Sequence, residues 1–562
     1  MDGMRSELVF ALSEAAGTDV TVDDLKPSPV ADIGCPIAFG LAKKNGEDPA
    51  KIAEKIAAAI MGCQYVVKAE TQGGYINITV DRNKVLKDLL SPEKPAKARP
   101  GKVILEHTSV NPTGPIHVGR IRNTIIGDSL ARILRHVGHD VQTRYYVNDV
   151  GRQVALISLG FEKGLEPDPT LRQRYSKYSQ RPDYEMLFTY VVANALAEED
   201  EKFRDEVADF MLRAEASEGD SLAKVTDTAK KGLKGQMEAF TRLGVSFDAF
   251  DYESAGLADG SVEEVLKKAR ASKLYKKTEV GEGLDLAPYG LEKRSGLTVL
   301  ARADGTSVYL CRDIAYHLKK AGMGERLINV LGEDHKLQAK ELSTILDEVF
   351  DWQRAIDVVH FSFVSFQGEK FSTRRGDIAT VDDLFDDAVA KAGVEVEKRG
   401  IGDANTAEMV GIGAVKFHIV KTTPTKQINF SFEDALNFDG ETAPYIQYAH
   451  ARSARLLEKA GAELAAIKGY DTDITEDAEW ELILKLSDFL GACEQAAKML
   501  RPDIVASYLI ELVQDYGRFY MGCPVMDSPK PIKDRRLLLV AKAKKTVAEG
   551  LGLLGIEAPE RM

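Results

Sequence analysis

The stretch from Val103 to Gly138 constrains this chain more than any other part of it. A short apolar run, Val103 to Leu105, suits a buried strand of a parallel sheet. Downstream, Ile121, Ile125, Leu130, Ile133, Leu134 and Val137 recur at helical spacing, and Gly138 closes the pattern as a C-cap. Between strand and helix lies EHTSVNPTGPIHVGR, in which Pro112, Gly114, Pro115 and Gly119 make a loop that is stiff and nearly free of side-chain bulk. His117 and Gly119 then stand at a helix N-terminus, where unpaired N–H groups and the helix dipole favour phosphate. The unit predicts a nucleotide site. Its glycine spacing fits neither the Walker loop nor the dinucleotide fingerprint.

Length and charge frame that site. At 562 residues the chain exceeds one core, and about three domains is the expectation. No apolar stretch approaches the ~18 residues that span a bilayer, and Arg5, Glu7 and Glu14 interrupt any leader-like run, so the expectation is a cytoplasmic protein without a membrane partner. Cys35, Cys63, Cys311, Cys493 and Cys523 stand singly, which suits reduced thiols and argues against a zinc site. The net charge of −13 argues against a nucleic-acid coating protein, so any RNA contact needs local basic patches. One candidate runs from Lys530 to Lys545, with seven Lys/Arg against one Asp; a solvated helix face reads the same way.

Patterning divides the chain. Residues 1–98 alternate a helix (Ile52 to Met61) with a strand (Tyr75 to Val80), as in an α+β domain, and end in the Pro- and Lys-rich SPEKPAKARPGK. Residues 99–440 read as a doubly wound, Rossmann-like α/β domain, with strands at Val103 to Leu105, Asp140 to Tyr146, Leu327 to Leu331 and Val358 to Phe363. The charged, helical stretch over about 156–275 reads as an insertion outside the sheet. Residues 441–562 are all-α, with helices expected at Tyr448 to Lys459 and Trp480 to Leu500.

A second loop, Gly368-Glu369-Lys370-Phe371-Ser372-Thr373-Arg374-Arg375-Gly376, carries three cations between glycines. Such a loop can close over a triphosphate and neutralise charge building on departing pyrophosphate. A basic surface hairpin has the same composition.

Together, His117-Val118-Gly119-Arg120 and Lys370-Phe371-Ser372-Thr373-Arg374 resemble the HIGH and KMSKS signatures of class I aminoacyl-tRNA synthetases. The wording NPTGPIHVGRIRN is similar to the arginyl members. The second signature is degenerate: Phe371 replaces Met, and Thr373 stands where the second lysine is usual, a loss typical of arginyl enzymes. Lys370, Arg374, Arg375 and Lys102 are the cations that could take over its work. The resemblance implies ATP as substrate, bound by Pro115, His117, Gly119, Lys370 and Phe371, with Mg²⁺ accompanying it. It also implies catalytic roles for His117, Gly119, Arg120, Lys370, Ser372 and Arg374.

Selection of arginine requires a carboxylate, since a guanidinium is planar, permanently charged and offers paired donors. Tyr309 and Asp313 stand four apart in SVYLCRDIAYH, on one face if helical. They resemble the family's Tyr-x-x-x-Asp element. Glu106 and Asn111 match family residues at the two ends of the amino acid, and a Glu directly after an apolar strand wants a cation. His335 follows the Leu327 strand at the carboxyl edge and is a contact to substrate or ribose, or a supporting residue. Tyr146, Asn148 and Asp149 fit the family wording without a definite role. His136, His139, His317, His360 and His418 show no ligand spacing and read as structural.

For the last region the resemblance implies an anticodon-binding domain, with Tyr445, Tyr448 and Arg452 toward tRNA(Arg), although an aromatic stripe on a helix is more often core. It also implies a monomer, an N-terminal domain at the tRNA corner, and activation of arginine that needs bound tRNA. The implied function is arginine–tRNA ligase. The alternatives are another class I synthetase, a nucleotidyltransferase with an HxGH-type loop, and an inactive RNA-binding relative. The lack of an editing-type insertion with its own strands argues against the branched-chain members of that class.

Overall fold

The computed structural model describes residues 3–92, 95–293, 296–366, 379–467, 469–470 and 473–562, apart from the side chains of Asp23 and Ala462. The chain divides into two compact units, one of Ala98–Lys391 with His418–Ala435, the other of Met1–Lys97, Ala392–Phe417 and Leu436–Met562.

The first unit is built on a five-stranded sheet among the described residues. Its strands are β1 (Lys102–Glu106), β2 (Asp140–Val147), β3 (Ala249–Tyr252), β4 (Arg326–Gly332) and β5 (Ile356–Phe361). Spatially they run β5-β4-β1-β2-β3, every neighbouring pair parallel. Val103, Ile104 and Leu105 are at most 2 % exposed, as strands covered on both faces require. From β1 the chain builds outward one way through β2 and β3, then returns to the other side of β1 with β4. The carboxyl ends of β1 and β4 therefore flank the switch point, where open α/β sheets bind ligands.

Helix α1 (Ile121–His136) follows β1, α2 (Tyr309–Lys320) precedes β4, and α3 (Lys336–Phe350) follows it. Between β2 and β3 the chain forms helices Arg152–Glu162, Pro182–Glu199, Glu201–Glu215 and Ser221–Arg242. The insertion is narrower than the patterning suggests. Ala249–Tyr252, which the patterning places inside it, instead forms the edge strand β3, too short to show a strand period. A small antiparallel sheet, Tyr275–Thr278, Gly281–Leu284 and Thr298–Arg302, is a further addition.

The second unit contains an antiparallel sheet of Ile33–Cys35, Val66–Gln72 and Tyr75–Val80 with flanking helices, and the C-terminal helices. Inside it, the Arg82 guanidinium lies 4.8 Å over the Trp480 ring. The helix expected over Trp480 to Leu500 is two, Asp477–Ser487 and Phe489–Met499. The joint is Asp488, whose carboxylate turns to Arg5 at 2.6 Å, and Leu500 ends the second helix with φ 53°. A periodic apolar pattern continues through such a joint without registering it.

Candidate active site

The turn after β1 is strained, and the strain has identifiable supports. Thr108 and Ser109 both take positive φ, 73° and 44°, at a cost of roughly 1–3 kcal/mol each. Asn123 on α1 holds the turn: its Oδ1 accepts the Thr108 amide at 2.8 Å, while its Nδ2 donates to the Val330 carbonyl of β4 at 3.1 Å. One side chain thus ties both sides of the switch point. His107 is buried against Phe247 (ring centroids 4.9 Å) and against Gly127, where a Cβ would lie 2.2 Å from the imidazole. Burial, with a smaller contribution from Arg135, pushes the His107 pKa down to about 3. The unfolded chain therefore binds a proton that the folded chain refuses. Stability is present above about pH 6.5 and is lost as pH falls toward 3. Thermal midpoints measured between these limits should fall more steeply for the natural protein than for His107→Phe.

At the far end of the loop, His117 caps the 3₁₀ turn Val118–Arg120 by accepting the Gly119 amide on Nδ1 at 3.0 Å. A Cβ at Gly119 would stand 3.1 Å from that nitrogen. Enclosure in the loop and then the neighbouring Arg120 guanidinium hold the His117 pKa below its ordinary value. With Nδ1 accepting, the neutral ring keeps its proton on Nε2, an outward-facing donor. Arg120 is exposed and Pro115 buried.

Lys370, Phe371, Ser372 and Arg374, with Thr373 and Arg375, lie outside the described residues. The segment Ala379–Val381, just beyond them, is tied to the first loop: the Val118 amide donates to Ala379 O (3.1 Å) and the Val381 amide to Ile116 O (2.8 Å). Arg122, fully buried on α1, donates to the carbonyls of Ser362 (2.5 Å), Lys426 (2.7 Å) and Thr423 (3.0 Å). Lys102, one of the four cations considered, is the first residue of β1. It sits at the amino edge of the sheet, roughly 13 Å of strand from Glu106, and is removed from that set.

The carboxylates around the switch point are unequally neutralised. Glu106, expected to await a cation from outside, finds one within the structure: Lys320 Nζ lies 2.6 Å from its Oε2. Glu253, only 2 % exposed, pairs with Arg312. Asp251 accepts from Arg144 at 2.8 Å and from the Tyr316 hydroxyl at 2.7 Å. Asp313 is different. Its Oδ1 lies 3.0 Å from His317 Nδ1 and its Oδ2 accepts from Gln338 at 3.4 Å. Burial alone would raise its pKa; His317, the Lys320 charge and Gln338 outweigh that and hold it below the ordinary value. The result is a mostly enclosed, ionised carboxylate with no Lys or Arg in direct contact among the described residues.

Tyr309 opens α2 one turn before Asp313 and is 37 % exposed, edge-on to Tyr146 with ring centroids 6.4 Å apart. His335 precedes α3 beside Asp334, with Nε2 to Oδ2 3.7 Å. Asn111 is exposed, and its carbonyl accepts from Gln236 of the insertion at 3.0 Å. Asn148 donates to Glu253 Oε2 (2.8 Å) and Val150 O (2.7 Å) in the amide orientation that satisfies both. Asp149 accepts from the Ser254 amide and hydroxyl at 2.9 and 2.6 Å. Sequence reasoning reads His317 as structural and passes over Lys320 and Gln338. The usable signal is position: His317 and Lys320 continue the Tyr309–Asp313 face of one helix.

In the second unit, the helix Ala443–Ala460 buries Ile446, Gln447 and His450 and leaves Tyr448 42 % exposed. Tyr445 is half-buried, and the exposed Arg452 stacks over the Tyr520 ring, 3.6 Å from its centroid. The three lie at i, i+3 and i+7, beside the core stripe rather than in it. The basic run Lys530 to Lys545 is neither a free patch nor a solvated face throughout. Arg535 and Arg536 are buried on Glu479 (2.6 and 3.1 Å), Lys533 pairs with Glu463 (2.5 Å) and Lys544 with Glu560 (2.6 Å). Their acidic partners lie elsewhere in the chain, so local charge counting could not find them.

Three families match in chain order: the Arginyl tRNA synthetase N terminal domain over residues 4–80, the tRNA synthetases class I (R) catalytic domain over 84–432, and the DALR anticodon binding domain over 446–562. The arginine–tRNA ligase of Methanocella arvoryzae is 38 % identical over 97 % of both chains. That of Methanocaldococcus jannaschii is 35 % identical over 100 % of both. Among solved structures, Thermus thermophilus arginyl-tRNA synthetase matches with TM-score 0.83 and 28 % identity over 100 % of both chains. The Plasmodium falciparum enzyme shares the fold, with TM-score 0.77 and 17 % identity.

Proposed function

This chain belongs to the class I arginyl-tRNA synthetases, and from that premise we propose how its residues divide the work of an arginine–tRNA ligase. The carboxylate of L-arginine attacks the α-phosphate of ATP. The bond to pyrophosphate breaks, and the arginyl group passes from the adenylate to the 3′-terminal ribose of tRNA(Arg), at its 2′-hydroxyl. Little covalent work falls to side chains; catalysis is positioning and charge stabilisation.

The observation that carries the pocket assignment is the unmatched Asp313 carboxylate. Neighbouring acids already have cations, so a guanidinium gains most at Asp313, with Tyr309 along its flank. Glu106, held by Lys320, and Asn111 take the guanidinium and α-amino/carboxylate ends, and His335 the substrate or ribose. ATP lies on the first loop, with Pro115 and Gly119 giving backbone access, Arg120 nearby, and the His117 Nε2–H facing phosphate. Lys370, Ser372 and Arg374, with Phe371 against the nucleotide, close from the second loop. Mg²⁺ arrives with ATP, held by phosphate and water.

Tyr445, Tyr448 and Arg452 meet tRNA, consistent with the exposure of Tyr448. Domain boundaries near 98 and 440, a monomeric state and a cytoplasmic setting complete the reading. Among the described residues no helix is long and apolar enough to cross a membrane.

ATP–pyrophosphate exchange with each standard amino acid tests the reading directly. Exchange should require arginine, should be weak without RNA, and should rise on adding tRNA. With its second lysine replaced by Thr373, the Lys370 loop would close fully only when tRNA favours the closed state. Salt should erode the stimulation, because phosphate neutralisation dominates RNA affinity. Strong exchange by RNA-free enzyme removes the coupling and leaves the ligase reaction. Exchange with any other amino acid at the arginine rate removes the pocket. Thr373→Lys should change the rate little.

A further inference from the structure

Between the two carboxylates assigned to arginine runs a continuous chain of polar contacts, and its direction is set at one end. Lys320 can only donate; it does so to Glu106 Oε2 at 2.6 Å and to Asn329 Oδ1 at 2.9 Å. That orients the Asn329 amide, whose Nδ2 then donates to His317 Nε2 at 2.9 Å. An accepting Nε2 leaves the ring proton on Nδ1, which lies 3.0 Å from Asp313 Oδ1 and 2.9 Å from the Asp313 carbonyl. Lys320, His317 and Asn329 are at most 3 % exposed, so water offers little competition along the chain.

We propose that His317 is a positioning residue for arginine recognition. Its Nδ1–H stands against the Asp313 carboxylate, and the Lys320–Asn329 link fixes the tautomer that puts this proton there. Reversing the link is unfavourable, because turning the Asn329 amide would set its N–H₂ against the Lys320 ammonium. The groups facing the ring are Asp313 and Lys320 from its own helix and Asn329 from β4. Glu106 of β1 acts through Lys320, Gln338 of α3 through Asp313, and the Tyr316 ring lies 5.9 Å away. The proposal rests on Asp313 as the guanidinium partner.

The test measures KM for arginine, KM for ATP and kcat for the natural protein and four variants. His317→Leu should raise the arginine KM about 10-fold or more, the size of one hydrogen bond to a charged group, with the ATP KM unmoved. His317→Gln should recover most of that loss, because its amide can donate to Asp313 and accept from Asn329. Asn329→Asp can accept from both Lys320 and a protonated Nε2. With no N–H to give to Nε2 it unsets the tautomer, and its arginine KM should rise while its ATP KM does not.

Asp313→Asn separates the two readings. If it raises the arginine KM while His317→Leu and Asn329→Asp leave that KM unchanged, the relay is overturned and the pocket stands. If Asp313→Asn also changes nothing, both are overturned. Should His317→Leu fail to fold, Asn329→Asp decides alone, an arginine KM equal to that of the natural protein overturning the relay.

Discussion

Asp313→Asn is expected to weaken arginine binding by ~2–4 kcal/mol, the range for leaving one member of a desolvated charge pair unmatched. The substitution keeps shape and removes charge. Three neighbouring acids already have a cation within the structure: Glu106 has Lys320, Glu253 has Arg312 and Asp251 has Arg144. Citrulline, isosteric with arginine but neutral, should be rejected by the natural enzyme and discriminated less well by the variant. Titration calorimetry with both ligands measures the change. An unaltered arginine affinity would place the guanidinium elsewhere.

His117→Ala should lower the rate of adenylate formation by ~10²-fold or more, as expected for removing one donor aimed at transition-state charge. The imidazole both caps the turn at Gly119 and presents its Nε2–H outward, so alanine loses cap and donor together. The cap is worth only about 1 kcal/mol of stability, and circular dichroism should show a folded chain. Lys370→Ala should slow the same step comparably while leaving arginine affinity near its natural value. Single-turnover adenylate formation separates these effects from product release. Natural rates in both variants would sink the assignment of the two loops.

The parts of this site that are legible in the sequence are those written over short spans. The β1–loop–α1 unit, the strands at 140, 327 and 356, and the Tyr309–Asp313 face of α2 each carry their pattern within about one element. The anticodon-side helix is legible in the same way, although its exposed face is not: a stripe of Tyr445, Tyr448 and Arg452 reads as core until the helix is docked and Ile446, Gln447 and His450 turn inward instead. Four-residue β3 lacks the length to show a period, and the joint at Asp488 is hidden inside one apolar repeat.

By itself, the sequence determined the chemistry on offer: a lean phosphate-binding loop, a second cationic loop, a carboxylate spaced for a guanidinium, and the order in which the domains occur. Tertiary structure alone decided which charges remain available. Lys320 cancels Glu106 from 214 residues away, and Arg535 disappears onto Glu479 across 56. Asp313 keeps its charge because a histidine, not a lysine, reaches it. Side-chain types and short spacings are local properties of a chain, whereas neutralisation depends on distance in space, which folding sets.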